Sequence, residues 1–111
     1  MEQTNTPAPS PRPRAALGAT QLITRLAQLP GWQLHGDGAA VAIERTFQFK
    51  NYLQALAFVN AVAFMADRHD HHPDLLLQYQ TCSVRFRTHD VQGISLLDFE
   101  AAARVNALVQ D

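Results

Sequence analysis

Between Tyr52 and Ala66 only Gln54 and Asn60 interrupt an otherwise apolar run of side chains. Asn51 is a good N-cap for a helix over about residues 52–68. Pro73 bars its continuation, because the residue before a proline avoids the helical region. Tyr52, Leu56, Val59 and Ala63 form one stripe, Leu53, Ala57, Ala61 and Phe64 a second, and Ala55, Phe58, Val62 and Met65 a third. A helix that is apolar all round must be covered all round. One face can lie on a sheet, but a chain of 111 residues has little left for the others. The expected cover is the same helix of another subunit, with Phe58 and Val62 on the subunit-facing side. At this size only roughly 60–65% of the unfolded surface is buried, so association is a natural expectation.

The flanking pattern places this helix in an α+β domain. Leu22, Ile23, Leu26 and Leu29 recur at helical spacing, with Thr20 as the expected N-cap and Pro30-Gly31 as the stop. Trp32-Gln33-Leu34 opens a strand and His35–Gly38 turns it into a second, Val41–Phe49. In that second strand Val41, Ile43, Phe47 and Phe49 share one parity with Arg45, the exception on an apolar face. Leu75–Thr88 divides at Gln80-Thr81 into strands of about 75–79 and 82–88; by parity His89 would follow Ser83, Arg85 and Arg87. Ser95 caps a last helix to about Val109, with Asp98 at its third position and Leu97, Ala101, Val105 and Leu108 as its buried stripe. The order is α-β-β-α-β-β-α, with the helices expected on one sheet face.

Composition removes several classes of function. Net charge is −1 and the nine basic residues are scattered, which argues against nucleic acid as a partner. No stretch reaches the roughly 20 apolar residues of a membrane span. Met1–Arg14 holds four prolines and no apolar h-region; residues 1–14 read as a disordered tail without an export signal, and 15–111 as the domain. The lone Cys82 cannot form an intramolecular disulfide, and a reduced cytoplasm is expected.

Four of the five histidines lie in Asp67-Arg68-His69-Asp70-His71-His72-Pro73-Asp74 and Thr88-His89-Asp90. Such a local excess points to proton transfer or metal binding, against plain surface residues. Adjacent His71 and His72 make a poor bidentate pair, and no His-x-x-x-His spacing occurs. His69-Asp70 is similar to a pair in metal-dependent phosphohydrolases, but those need a larger helical domain. The third possibility is an acid–base pocket of His71, His72 and His89. Asp67, a carboxylate placed unfavourably at a helix C-terminus, fits service to such a site.

Asp67, three residues, His71-His72-Pro73, five residues, Tyr79, nine residues, His89, eight residues, Asp98: this spacing resembles the signature of the pterin-4a-carbinolamine dehydratases. The resemblance covers about residues 20–110. It implies a four-stranded antiparallel sheet with three helices on one face, and a dimer of dimers whose core is the long second helix. It implies catalysis by His71, His72 and His89 with no metal or organic cofactor. The pterin would be contacted by Asp70, Pro73, Thr88, Asp90 and Val91, with Trp32 and Asp67 as further binding residues. Relatives commonly carry Trp where this chain has Leu75. The implied reaction is dehydration of a 4a-hydroxytetrahydropterin in tetrahydrobiopterin recycling. The alternative is a dehydratase-like binding module or assembly factor acting through its helix surface.

Overall fold

The computed structural model describes residues 14–109. The expected disordered tail therefore lies outside the described residues, apart from Arg14. The elements are α1 (Ala19–Ala27), β1 (Gln33–His35), β2 (Ala42–Gln48), α2 (Tyr52–His69), β3 (Asp74–Leu77), β4 (Thr81–Phe86) and α3 (Leu96–Leu108), with 3-10 turns at Gly38–Ala40 and His89–Val91. The four strands form one antiparallel sheet in the order β1-β2-β4-β3. The expected α+β architecture, α-β-β-α-β-β-α, is the one observed.

Register explains the core. Ile43 pairs with Phe86 and Phe47 with Cys82, so their side chains fill one face beneath Phe58 and Val62 of α2 and Phe99, Ala102 and Val105 of α3. On the other face Gln33, Glu44, Arg85 and Asp74 stand in one cross-strand row, and Arg85 grips Glu44 through Nε and Nη2 at 2.9 and 2.7 Å. Cys82 is fully buried, and that burial pushes its thiol pKa up.

Arg45, the exception on the inner face, is accommodated by a small polar network. Its guanidinium lies 4.3 Å from the Phe47 ring centre and donates to Asn106 Oδ1 at 2.7 Å. The same oxygen accepts Trp32 Nε1–H at 2.8 Å. Gly31 has φ +89°, and a Cβ there would fall 2.5 Å from Arg45 Nε, so both backbone and space require glycine.

Several local expectations change. In α2 the buried residues are Ala55, Phe58, Val62 and Ala66. Phe58 and Val62 therefore face the sheet, not another subunit. The stripe left open carries Leu53 and Phe64, 74% and 79% exposed. Helix α1 follows Gly18, whose N–H is held by Gln21 Oε1, so Thr20 is inside the helix; Ile23 points to solvent. In α3 the buried positions include Asp98, Phe99, Ala101, Ala102 and Val105, and Leu108 is exposed.

Ser95 caps α3 as its sequence indicates, accepting from Leu97 N at 3.2 Å, while Asp98 Oδ2 accepts Ser95 N–H at 2.9 Å. Both side chains are fully buried. Ser95→Ala is expected to cost about 1–2 kcal/mol, since it removes a cap and a partner of the buried Thr88 hydroxyl. Urea denaturation would register this as a lower midpoint with unchanged slope.

Candidate active site

Helix α2 ends by a device that determines where His71 goes. The Ala66 carbonyl accepts from both Asp70 N and His71 N, and Asp70 adopts the left-handed conformation at φ 52°, ψ 43°. An αL residue at this position reverses the chain. Asp is among the few non-glycine types that visit that region routinely. Pro73 then holds the chain extended into β3.

His71 consequently folds back onto the sheet. Its ring stacks on Phe86, centroids 5.8 Å apart and planes 9° from parallel. Its Nε2 lies 2.6 Å from Asp98 Oδ1, with the His71 side chain 10% exposed. Asp98 is a junction: besides His71 it receives Thr88 Oγ1–H at 2.8 Å and Ser95 N–H at 2.9 Å on Oδ2. With Thr88 donating to Asp98, the short Ser95–Thr88 contact runs from the Ser95 hydroxyl to Thr88 Oγ1. A carboxylate in the first turn of a helix is also favoured by the helix dipole. An ionised carboxylate only accepts, so the His71 proton resides on Nε2 and Nδ1 is left as the ring's acceptor.

The other two histidines lie elsewhere. His72 and His89 line a cleft of about 270 Å³ with Asp74, Arg85 and Arg87. His71 lines a neighbouring opening of about 500 Å³ with Arg14, His69, Asp70 and Leu97. The two depressions have no lining residue in common: Asp70 and His71 border one, His72 and Asp74 the other. His72 also borders an apolar depression of about 410 Å³ with Phe64, Pro73 and Leu75. His72 Nε2 stands 3.4 Å from Asp67 Oδ1 in the open, a pair that contributes little. Among the described residues no three His, Cys, Asp or Glu side chains converge as metal ligands would.

His89 does not continue the strand. Strand β4 ends at Phe86, a Thr88–Gly93 bridge closes the loop, and His89 opens the 3-10 turn. The ring is still brought to the arginine side, because Arg87 Nη2 donates to its Nδ1 at 3.0 Å. Asp90 pairs with Arg14 at 3.1 Å in solvent, Val91 is half-buried, and the Thr88 side chain is spent on Ser95 and Asp98. Trp32, expected among the binding residues, is 6% exposed, packed on Phe47 and Phe86 with its N–H on Asn106. It is a core residue.

Sequence reasoning missed two participants. Asp98 was legible as a helix-start residue and as the last position of the signature, but its bond to His71 spans 27 positions. Arg87 carried no signal beyond its parity with His89.

The sequence model of the pterin 4 alpha carbinolamine dehydratase family matches residues 15–108. A Paracidovorax citrulli protein assigned to the pterin-4-alpha-carbinolamine dehydratases is 59% identical over 96 residues, covering 86% of this chain and 83% of its own. One from Stenotrophomonas maltophilia with the same assignment is 50% identical over 94 residues, covering 85% and 79%. The crystal structure of a transcriptional coactivator/pterin dehydratase from Brucella melitensis superposes with a TM-score of 0.79 at 32% identity, covering 86% of this chain and 99% of that one. A pterin dehydratase-like protein identified as a RuBisCO assembly factor in the alpha-carboxysome has a TM-score of 0.61 at 22% identity, over 73% and 92%, and shares the fold. With the buried His71–Asp98 pair at the spacing of the signature and the family match running over residues 15–108, the chain belongs to the pterin 4 alpha carbinolamine dehydratase family.

Proposed function

We propose that the chain dehydrates a 4a-hydroxytetrahydropterin to the quinonoid dihydropterin and water, by histidine acid–base chemistry that needs no cofactor, in tetrahydrobiopterin recycling. The carrying observation is the His71–Asp98 pair: a ring oriented by a fully buried carboxylate, its second nitrogen free to accept a proton. The C4a–O bond must break and a ring-nitrogen proton must leave. Hydroxide is a poor leaving group at neutral pH, so one group takes the proton while another donates to the departing oxygen. Positioned groups of this kind contribute typically about 10²–10⁴-fold each. His71 Nδ1 is the proposed acceptor. His72 and His89, in the adjoining cleft, provide donors. Asp98 faces the positive charge that forms on His71, the division of labour seen wherever a carboxylate orients a catalytic imidazole. The pterin lies against His71–Pro73 and the His89–Val91 turn, with Asp70, Asp90 and Asp67 as further contacts and Leu75 as an aliphatic wall.

The protein acts in the cytoplasm as a homotetramer built on α2. No helix among the described residues is long and apolar enough to cross a membrane.

The test is the rate of dehydration of substrate generated in situ by a hydroxylase. Acceleration that a chelator leaves unchanged is expected. His71→Ala and His89→Ala should each remove most of it, and His72→Ala less, since that ring is largely solvent-exposed. Activity lost to a chelator and restored by zinc would overturn the acid–base reading. A folded protein giving no acceleration would leave the binding-module alternative.

A further inference from the structure

We infer that Arg87 is a positioning residue that holds His89 as a neutral hydrogen-bond donor to the departing oxygen; this rests on the dehydration reading above. Arg87 Nη2 lies 3.0 Å from His89 Nδ1. A guanidinium has only donors, so Nδ1 must accept and the ring proton must sit on Nε2. An imidazolium would present N–H groups at both nitrogens, lose this bond and set two cations against each other. While the bond holds, His89 is therefore neutral and offers Nε2–H.

The guanidinium is itself anchored. Its Nη1 donates to the Ala39 carbonyl at 2.8 Å, in the 3-10 turn between β1 and β2. Arg85, the other arginine of the same cleft, is committed to Glu44. The charged and titratable groups bordering this cleft besides Arg87 and His89 are Arg85, Asp74 and His72. Arg87 is the one bonded to His89.

His71 and His89 thus have opposite polarity. His71 gives Nε2–H to Asp98 and keeps Nδ1 as an acceptor; His89 receives at Nδ1 and keeps Nε2–H as a donor. The step balances without proton transfer from His89. The ring-nitrogen proton passes to His71 Nδ1, the N–H electron pair forms the new C=N bond, and the C4a–O pair leaves with hydroxide, stabilised by His89 Nε2–H. Hydroxide and the proton held by His71 make the one water released. A neutral imidazole used as an electrophile rather than an acid is established chemistry.

The test is a double-mutant cycle of R87M and H89A, with R87K as the conservative variant, reading kcat and KM for dehydration, and the ¹⁵N resonances of the His89 ring. Arg87→Met is expected to lower kcat about tenfold with KM nearly unchanged, as for a partner that orients a functional histidine. Arg87→Lys, which still carries a donor, should recover part of the loss. In the H89A background Arg87→Met should cost nothing further, because Arg87 acts only through His89. In wild type Nδ1 should resonate as an unprotonated nitrogen and Nε2 as a protonated one; in R87M the ring should exchange between tautomers. Additive losses, or a protonated Nδ1 in wild type, would overturn the inference. Arg87→Met without effect while His89→Ala is costly would remove Arg87's role alone. His89→Ala without effect would remove the catalytic reading of His89, and this inference with it.

Discussion

Asp98→Asn is expected to keep the fold and lose most of the rate, roughly 10²–10⁴-fold in kcat. The side chain is nearly isosteric, and its carbonyl oxygen can replace Oδ2 as the acceptor for Thr88 Oγ1–H and Ser95 N–H. Its amide nitrogen then occupies the place of Oδ1, 2.6 Å from His71 Nε2, and can only donate. His71 must accept there, so its proton moves to Nδ1, the atom proposed to take the substrate proton. Chemistry and stability part company in the second variant. Asp98→Ala leaves Thr88 Oγ1–H, Ser95 N–H and His71 Nε2–H without an acceptor, and each buried donor left unpaired costs about 1–3 kcal/mol. Against a typical total of about 5–15 kcal/mol, that variant should be largely unfolded on mild heating. Urea titration separates the two substitutions from each other, and transient kinetics on the folded D98N protein tests the chemistry. D98N turning over at near the wild-type rate would remove His71 Nδ1 as the base.

The element order was readable because each segment's hydrophobic period matched its structure: alternation in β2 and β4, helical spacing in α1, and a capping pattern at Ser95-x-x-Asp98. The facing of α2 was not. Three stripes of similar hydrophobicity carry no phase, so nothing local told Phe58 and Val62, which meet the sheet, from Leu53 and Phe64, which do not. For the site, the resemblance named a set of residues but no geometry. Extending the β4 parity to His89 assumed a regular strand, whereas the Thr88–Gly93 bridge and the 3-10 turn rebuild that backbone. Nor did the sequence show that the Thr88 hydroxyl is a buried link in the Asp98 network. Trp32 fell to the core because its indole N–H has a partner, Asn106, on an element 74 residues away. Long-range polar pairing of this kind leaves no trace in periodicity.

Phe64→Glu is expected to break the proposed tetramer into smaller species at micromolar concentration. Leu53, Ala57 and Phe64 share the uncovered face of α2, and the two large residues are 74% and 79% exposed. They stand 11 residues apart, about 16 Å along the helix. Two such helices packed antiparallel about a two-fold axis place Phe64 of each near Leu53 of the other, while Ala57 and Ala61 between them permit close approach. Four large side chains at about 1.5–3 kcal/mol each give roughly 6–12 kcal/mol gross, enough to offset a sizeable association cost. Glutamate at position 64 removes two of the four and sets carboxylates in the apolar seam, where Arg68 and Arg104 at the edge of the adjoining groove can draw them only outward. Sedimentation velocity should show the smaller species for F64E. The melting temperature of wild type should rise with protein concentration, and that of F64E should not. His71 and Asp98 contact each other within one chain, so the pair survives dissociation and F64E should retain measurable dehydration. A wild-type protein that sediments as a monomer at micromolar concentration would sink the assembly and leave the apolar stripe for a different partner.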